Sequence, residues 1–258
     1  MLSSHIPVFA VSLPRFRKRY AYINGHLAAR FGNGYEIVGI YGAEVGADSV
    51  ADQKLTAGQI GCALSHLAIY RMIVERNIPH AFIVEDDVVL PTNICQILED
   101  LRPYLSDAGV IQLHNWGGGE EYSNHMAVML PGNMSLYYPM RPSDLGATSA
   151  YIIGREAARG VLAANYPVRV SADNWEFFFK HGAFETARIL HPSPISEKPF
   201  ETTVLPTTYR KTYLGKAILL AKRSILFPLF MVRRKIMIEK RRRKVKLCDR
   251  PSEISISP

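Results

Sequence analysis

Cysteine is scarce in this 258-residue chain: Cys62, Cys95 and Cys248 are three, widely spaced, and no Cys-x-x-Cys occurs. That excludes a disulfide framework and a zinc-cluster scaffold, and it agrees with a reducing compartment such as the cytoplasm. Long apolar runs are also missing. No window reaches 18 uninterrupted apolar residues, so a membrane span is not indicated. The start, Met-Leu-Ser-Ser-His-Ile-Pro, has no basic stretch, and its apolar segment Ile6–Leu13 is short and contains Pro7. The expectation is therefore no signal peptide. His181 and His191 could ligate a metal, but neither spacing is diagnostic.

What is present is a hydrophobic fraction of 48% and a net charge of +8. That is ample for a globular core, and the length allows one large domain or one domain with an appendage. The charge is unevenly distributed. Tyr209–Pro258 holds 15 Lys and Arg against 3 Asp and Glu, so this stretch carries +12 and the preceding 208 residues −4. The chain divides accordingly into a body, 1–208, and a basic tail, 209–258.

Within the body, short apolar runs alternate with helical patterns. Pro7–Leu13 reads as a buried strand, Pro14–Arg30 as a basic helix, and Tyr35–Tyr41 as a second strand. Leu55–Asn77 is the clearest helix, opened by a capping box at Thr56 and Gln59 and stopped by Pro79. Further elements are expected at Ile94–Tyr104 (helix), Gly109–His114 (strand), Ala147–Ile153 (strand) and Glu156–Ala164 (helix). Gly117–Asn124 reads as a mobile loop and a candidate lid; Pro192–Pro206 reads as an extended wrap. Strands alternating with helices argue for an α/β protein with a mostly parallel sheet flanked by helices, followed by the basic helical tail.

The chemistry concentrates at residues 82–90, Phe-Ile-Val-Glu-Asp-Asp-Val-Val-Leu. Three carboxylates, Glu85, Asp86 and Asp87, end a buried strand with no turn residue among them. Buried carboxylates cost several kcal/mol unless a cation neutralises them. The carboxyl edge of an open α/β sheet is where ligands bind. A divalent metal carrying a phosphorylated ligand satisfies both, and hard oxygen donors suit Mg²⁺ or Mn²⁺. An exposed acidic turn is the rival reading. Gly61-Cys62-Ala63-Leu64-Ser65-His66 lies on the preceding helix; its small residues permit close approach to a ligand or tight helix–sheet packing. Arg15, Arg17, Lys18 and Arg19 follow the first strand, where they can meet a pyrophosphate or form a solvated helix start. Asp173, among Val170, Trp175 and Phe177–Phe179, is open to two readings: a general base, or a helix cap.

Taken together, the strand with its arginines, then Leu-Thr-Ala-Gly-Gln-Ile-Gly-Cys-Ala-Leu-Ser-His, then Ile-Val-Glu-Asp-Asp-Val, then Gly-Ala-Thr-Ser-Ala-Tyr-Ile-Ile, resembles glycosyltransferase family 25. These are the lipooligosaccharide β-galactosyltransferases and their relatives. The resemblance spans about Val8 to Asp173. It implies a GT-A-like fold, a UDP-sugar donor, Mn²⁺ or Mg²⁺ as cofactor, and inverting transfer of a hexose, galactose favoured, to a lipopolysaccharide or related acceptor. It further implies that Asp87 ligates the metal with Glu85 or Asp86 assisting or holding the ribose, that Arg15 and Arg19 meet the diphosphate, that Gly61, Ser65 and His66 border the donor, and that Asp173 is the base. Two positions depart from the family pattern. The acid of its Ala-Val-Asp-Gly block is missing from Ile40-Tyr41-Gly42-Ala43, and Ser12 replaces an asparagine.

The tail suits a protein working on lipid-linked saccharides. Lys and Arg clusters near an anionic bilayer contribute about 1 kcal/mol each, and Ala217–Leu220 and Ile225–Val232 add apolar residues as in an interfacial helix. The expected location is the cytoplasmic, inner face of the membrane. Two rivals are a catalytically silent scaffold, given the missing acid, and a nucleic-acid binder driven by Lys240–Lys246, which the acidic body disfavours.

Overall fold

The computed structural model describes residues 6–52, 54–114 and 122–200, with 232 and 236 beyond. The rest of the tail lies outside the described residues. The chain opens with β1 (Val8–Val11), α1 (Arg17–Phe31) and β2 (Tyr35–Val38), then α2 (Ala57–Glu75) and β3 (His80–Glu85). The short β4 (Val88–Val89), α3 (Ile94–Leu101) and β5 (Gly109–Gln112) follow. A hairpin of β6 (Tyr122–Leu130) and β7 (Met134–Pro139) precedes β8 (Ala150–Gly154) and α4 (Arg155–Asn165). The described body ends with α5 (Trp175–Lys180), β9 (Thr186–His191) and β10 (Ser196–Glu197).

Eight strands form one mixed sheet in the order β2-β1-β3-β8-β5-β9-β7-β6. From the pairings, β2, β1, β3, β5, β9 and β6 point one way and only β8 and β7 the other. The expected α/β architecture with a mostly parallel, helix-flanked sheet is therefore found. The antiparallel β8 sits between β3 and β5, with Val84 opposite Ala150. Its amino end thus lies beside the carboxyl ends of its neighbours, which determines what gathers at that edge.

Alternation along β3 divides the core. Ala81 and Ile83 face α2, α4 and α5 with Leu64, Leu67, Ile73, Val161 and Trp175. Phe82 and Val84 face α1 and α3 with Ile23, Leu27, Ile97 and Leu101. Both faces of a strand buried in this way read as a continuous apolar run, which is why the segment carries no polar alternation. Fully burying each Val, Ile, Leu or Phe side chain contributes about 1.5–3 kcal/mol.

The capping box opens α2 as expected: the Thr56 hydroxyl accepts from Gln59 N–H, and the Gln59 side chain accepts from Thr56 N–H. The helix ends before Pro79. Asn77 adopts a left-handed conformation at φ 54°, and Ile78 N–H closes the end on Ile73 O at 2.9 Å. The strands at the first and second positions are shorter than the sequence suggests, and the expected helix at Ile94–Tyr104 finishes as a 3-10 turn over Arg102–Tyr104. Of the expected loop Gly117–Asn124, residues 122–124 belong to β6 and the others lie outside the described residues. No helix among the described residues is long and apolar enough to cross a membrane.

Two contacts fix the helices that carry site residues. The segment after β2 runs against α2 so closely that a Cβ on Gly61 would lie 2.7 Å from Ile40 O and 2.8 Å from Gly42 N. The Ser65 hydroxyl donates to Gly61 O at 2.7 Å and accepts from Ile40 N–H at 2.8 Å. On the other face, His26 of α1 accepts from Leu90 N–H at 2.8 Å, while Tyr22 donates to Val88 O and Arg30 to Leu90 O. Burial, aided by the charges of Arg30 and Lys198, lowers His26 to about 4.

Gly61→Ala pushes a methyl group into backbone atoms, so urea unfolding should show a loss of about 1–3 kcal/mol. For His26 the folded pKa lies below the ordinary value near 6.5. The unfolded chain binds its proton first, so stability falls as pH drops from about 6.5 toward 4. His26→Gln should remove that part of the decline, and urea midpoints measured across this range for both proteins check it.

Candidate active site

A cavity of about 750 Å³ opens at the carboxyl edge of β1, β2 and β3. Ser12 follows β1, Tyr41 and Gly42 follow β2, and Glu85, Asp86 and Asp87 end β3; Gly61, Cys62 and Ser65 line it from α2. Because β8 runs the opposite way, Ser149 enters from its amino end, and Glu85 N–H bonds Ser149 O at 2.8 Å.

The three acids are held differently. The Asp86 carboxylate accepts from Ser12 Oγ at 2.9 Å and from Arg19 Nε at 2.7 Å. It is 7% exposed, and both of its oxygens are engaged. Glu85 Oε1 accepts from Thr148 Oγ1 at 2.6 Å and lies 3.5 Å from His66 Nε2. Burial pushes Glu85 up, but His66, the Thr148 hydroxyl and Arg19 outweigh it and hold the carboxyl below its ordinary value. Asp87 Oδ2 accepts from Arg19 Nη2 at 2.9 Å. Its Oδ1 is buried and has no hydrogen-bond partner among the described residues. Burial, then the charges of Glu85, Glu197 and Asp86, raise Asp87 to about 6 against the pull of Arg19.

Sequence reasoning missed a fourth carboxylate. The wrap after β9 returns as β10, which pairs with β4 and sets Glu197 opposite Val88. Glu197 Oε1 accepts from Ser149 Oγ at 2.8 Å and lies 3.5 Å from His114 Nδ1. Lys198 N–H bonds Asp87 O at 2.7 Å, while its ammonium rests over the Tyr22 ring at 4.2 Å. Phe200 closes this side, 5.5 Å from the Arg19 guanidinium. The sequence signal was faint: a Ser-Glu-Lys inside a stretch legible only as extended.

The other expected residues fall as follows. Gly61 and Ser65 line the cavity, but the Ser65 hydroxyl is already committed to backbone. His66 is 1% exposed and stands behind Glu85 without lining the cavity. Arg19 lies at the acids and is engaged by two of them. Arg15 is half-exposed, stacked 3.7 Å over Tyr41 at the cavity's edge and 3.8 Å from Glu44. Asp173 is exposed and does not line the cavity; it accepts from Ser171 Oγ at 2.6 Å. The cap of α5 is Asn174, whose side chain accepts from Phe177 N–H. The charge of Asp173 still reaches Cys62 at the cavity wall, where burial and the nearby acids raise the thiol.

A divalent cation fits these residues. Arg19 bonds Asp86 and Asp87, Glu85 and Glu197 stand near enough to raise Asp87, and Asp87 Oδ1 is buried with no hydrogen bond among the described residues. All the donors are hard oxygens, which suit Mg²⁺ or Mn²⁺. A cavity of this volume accommodates a nucleotide-sized ligand.

Over 144 residues, 55% of this chain, the sequence is 31% identical to a Haemophilus influenzae (strain ATCC 51907 / DSM 11121 / KW20 / Rd) protein named "Putative glycosyltransferase". The aligned part is 48% of that protein, so the chain matches about half of its relative's length. Residues 40–175, just over half of the chain, match the family described as "Glycosyltransferase family 25 (LPS biosynthesis protein)". That match contains Gly61, Ser65, His66, the acidic triplet and Asp173, and it places the chain in glycosyltransferase family 25.

Proposed function

We propose that this protein is an inverting, GT-A-like glycosyltransferase that moves a hexose, galactose favoured, from a UDP-sugar to a saccharide acceptor of lipopolysaccharide or a related surface glycan. The observation that carries the reading is the buried Asp87 Oδ1, without a hydrogen bond among the described residues, in a nucleotide-sized cavity crowded with carboxylates. It calls for a cation, and a cation in turn attracts a diphosphate.

In this reading Asp87 and Glu85 hold Mn²⁺ or Mg²⁺. The bound ion would supply Lewis-acid stabilisation of the departing diphosphate. Asp86, saturated by Ser12 and Arg19, braces the turn. Arg19 balances the acids and would meet the diphosphate of a bound donor. Arg15 extends this positive surface at the rim, its guanidinium oriented by the Tyr41 ring. Tyr41 also occupies the region where the family pattern carries the missing acid. Asp173 accepts the proton of the acceptor hydroxyl as the sugar arrives. It is exposed and outside the cavity lining, but its charge reaches Cys62 at the cavity wall. The cavity walls, with Phe200 and Pro199 on the wrap side, keep water from the donor.

The basic tail, 209–258, gives the reading its place. Its charge of +12 would hold the catalytic body against anionic lipid, where lipid-linked acceptors are assembled.

Three experiments test this. Isothermal titration of UDP in the presence of Mn²⁺ should show tight binding that Asp87→Asn abolishes. Asp173→Asn should bind UDP normally yet lose about 100-fold or more in transfer rate, measured with UDP-galactose and a saccharide acceptor. Wild-type turnover in Asp173→Asn rejects the base assignment; UDP binding indifferent to Mn²⁺ rejects the metal. Normal UDP binding with no transfer from any donor would favour a silent scaffold. Truncation after residue 208 should move the protein from the membrane to the soluble fraction, and unchanged fractionation rejects the anchoring role.

A further inference from the structure

Beneath the oxygen-rich wall the structure assembles a second group of ligands of different chemistry. Cys62 and His66 are one helical turn apart on α2 and share a face. Glu85, at the end of β3, lies opposite them. The Cys62 sulfur, a His66 ring nitrogen and a Glu85 oxygen all lie within 4.8 Å of one another. Bonds of about 2.0–2.3 Å to one tetrahedral ion hold such atoms roughly 3.3–3.8 Å apart. Small side-chain adjustments therefore close the triangle.

His66 supplies an independent indication of a ligand. Its side chain is 1% exposed, its Nε2 is buried without a hydrogen bond among the described residues, and that nitrogen faces Glu85 Oε1 at 3.5 Å. The opposite nitrogen, Nδ1, is 2.7 Å from Tyr151 Oη, which is 2.5 Å from Tyr70 Oη. When Nδ1–H donates to Tyr151, the Nε2 lone pair points at a carboxylate, an arrangement that is repulsive unless something positive lies between. When Tyr151 donates to Nδ1 instead, a proton on Nε2 fills that role. The same geometry thus accommodates a proton or a metal ion. A ring nitrogen oriented from behind by a hydroxyl is also how metal-binding histidines are held.

We propose that Cys62, His66 and Glu85 form a binding site for a thiophilic divalent cation of the Zn²⁺ class, with Glu85 common to this set and to the oxygen donors around Asp87. Thiolate and imidazole favour Zn²⁺, Cd²⁺ or Co²⁺ over Mg²⁺ and Mn²⁺. Cys62 borders the cavity, which gives the ion an entry path and room for a water as fourth ligand. Binding involves no change of oxidation state. The Cys62 thiol proton passes to solvent as the sulfur–metal bond forms, and the Nε2 lone pair and one Glu85 oxygen complete the protein's share. In the absence of metal, burial and the neighbouring acids keep the thiol protonated. The site stands on these three side chains and does not depend on the identity of any sugar donor.

The test uses the full chain with Cys95→Ser and Cys248→Ser, so that Cys62 is its one thiol. Anaerobic Co²⁺ titration should produce a near-ultraviolet thiolate-to-cobalt charge-transfer band that saturates at one ion per chain and disappears on adding Zn²⁺. Adding Cys62→Ser, nearly isosteric and checked for folding by circular dichroism, should abolish the band. Tyr151→Phe, which loosens His66 without touching a ligand, should weaken Co²⁺ binding about 10- to 100-fold. No charge-transfer band in the two-serine protein, or a band that survives Cys62→Ser, overturns the site. Because no sugar nucleotide is present, the result is independent of whether the protein transfers galactose.

Discussion

Everything at the edge of this sheet depends on one guanidinium. Arg19 bonds Asp86 and Asp87 together, and it does so from α1, across the sheet edge from α2. Burial alone would lower the arginine's proton affinity, but the two acids more than restore it, so its pKa lies above the ordinary value. Removing one partner of a buried pair of this kind typically costs about 3–5 kcal/mol, because the other charge is left uncompensated. Here two carboxylates would be left. Two more, Glu85 and Glu197, stand near enough to raise Asp87. Like charge therefore accumulates at Asp87 beyond what Arg19 offsets, which is the physical basis for proposing a cation there.

The fold achieves this crowding through the direction of a single strand. Had β8 run parallel to β3 and β5, its carboxyl end would lie at this edge and Thr148 and Ser149 would lie at the far one. Running antiparallel, it brings both hydroxyls to the acids. Thr148 then donates to Glu85 and Ser149 to Glu197. The β10 pairing with β4 completes the ring by carrying the chain back over Asp87. Each carboxylate is in this way given a donor, and Asp87 Oδ1 is the carboxylate oxygen left fully buried with no hydrogen bond among the described residues.

How much of this was legible in the sequence follows the range of the signals. The capping box of α2, the unbroken apolar run of β3 and the acids at its end depend on neighbours a few residues away, and all three were readable. The β6–β7 hairpin was not, although Pro131-Gly132 marked its turn; with Asn133, Gly132 takes a left-handed conformation. Tyr122–Leu130 opens with polar residues and shows no clean alternation, so the turn had no strands to join. The reversal of β8 and β7 within the expected mostly parallel sheet was beyond reach for a different reason: period-2 burial looks the same in either orientation. Arg19 as partner of the acids, and Glu197 as a member of the site, arise from contacts 67 residues apart and from a strand pairing between β4 and β10. No local pattern encodes either.

The division of labour within the triplet then follows from counting lone pairs and donors. Asp86 spends both oxygens on Ser12 and Arg19, so ligating a metal would require breaking the contact that braces the edge. Both contacts of Glu85 converge on Oε1, and neither Thr148 nor His66 involves Oε2. Asp87 gives Oδ2 to Arg19 and keeps a buried Oδ1 with no hydrogen bond among the described residues. Burial and like charge already make its ionised form costly, and a divalent cation would relieve both effects at once. Three adjacent acids that look alike in sequence are therefore unlike in structure. Asp86 fixes the turn, and Asp87 is the carboxylate with most to gain from a metal. Glu85 lies between the two chemistries, with hard oxygens on one side and Cys62 and His66 on the other.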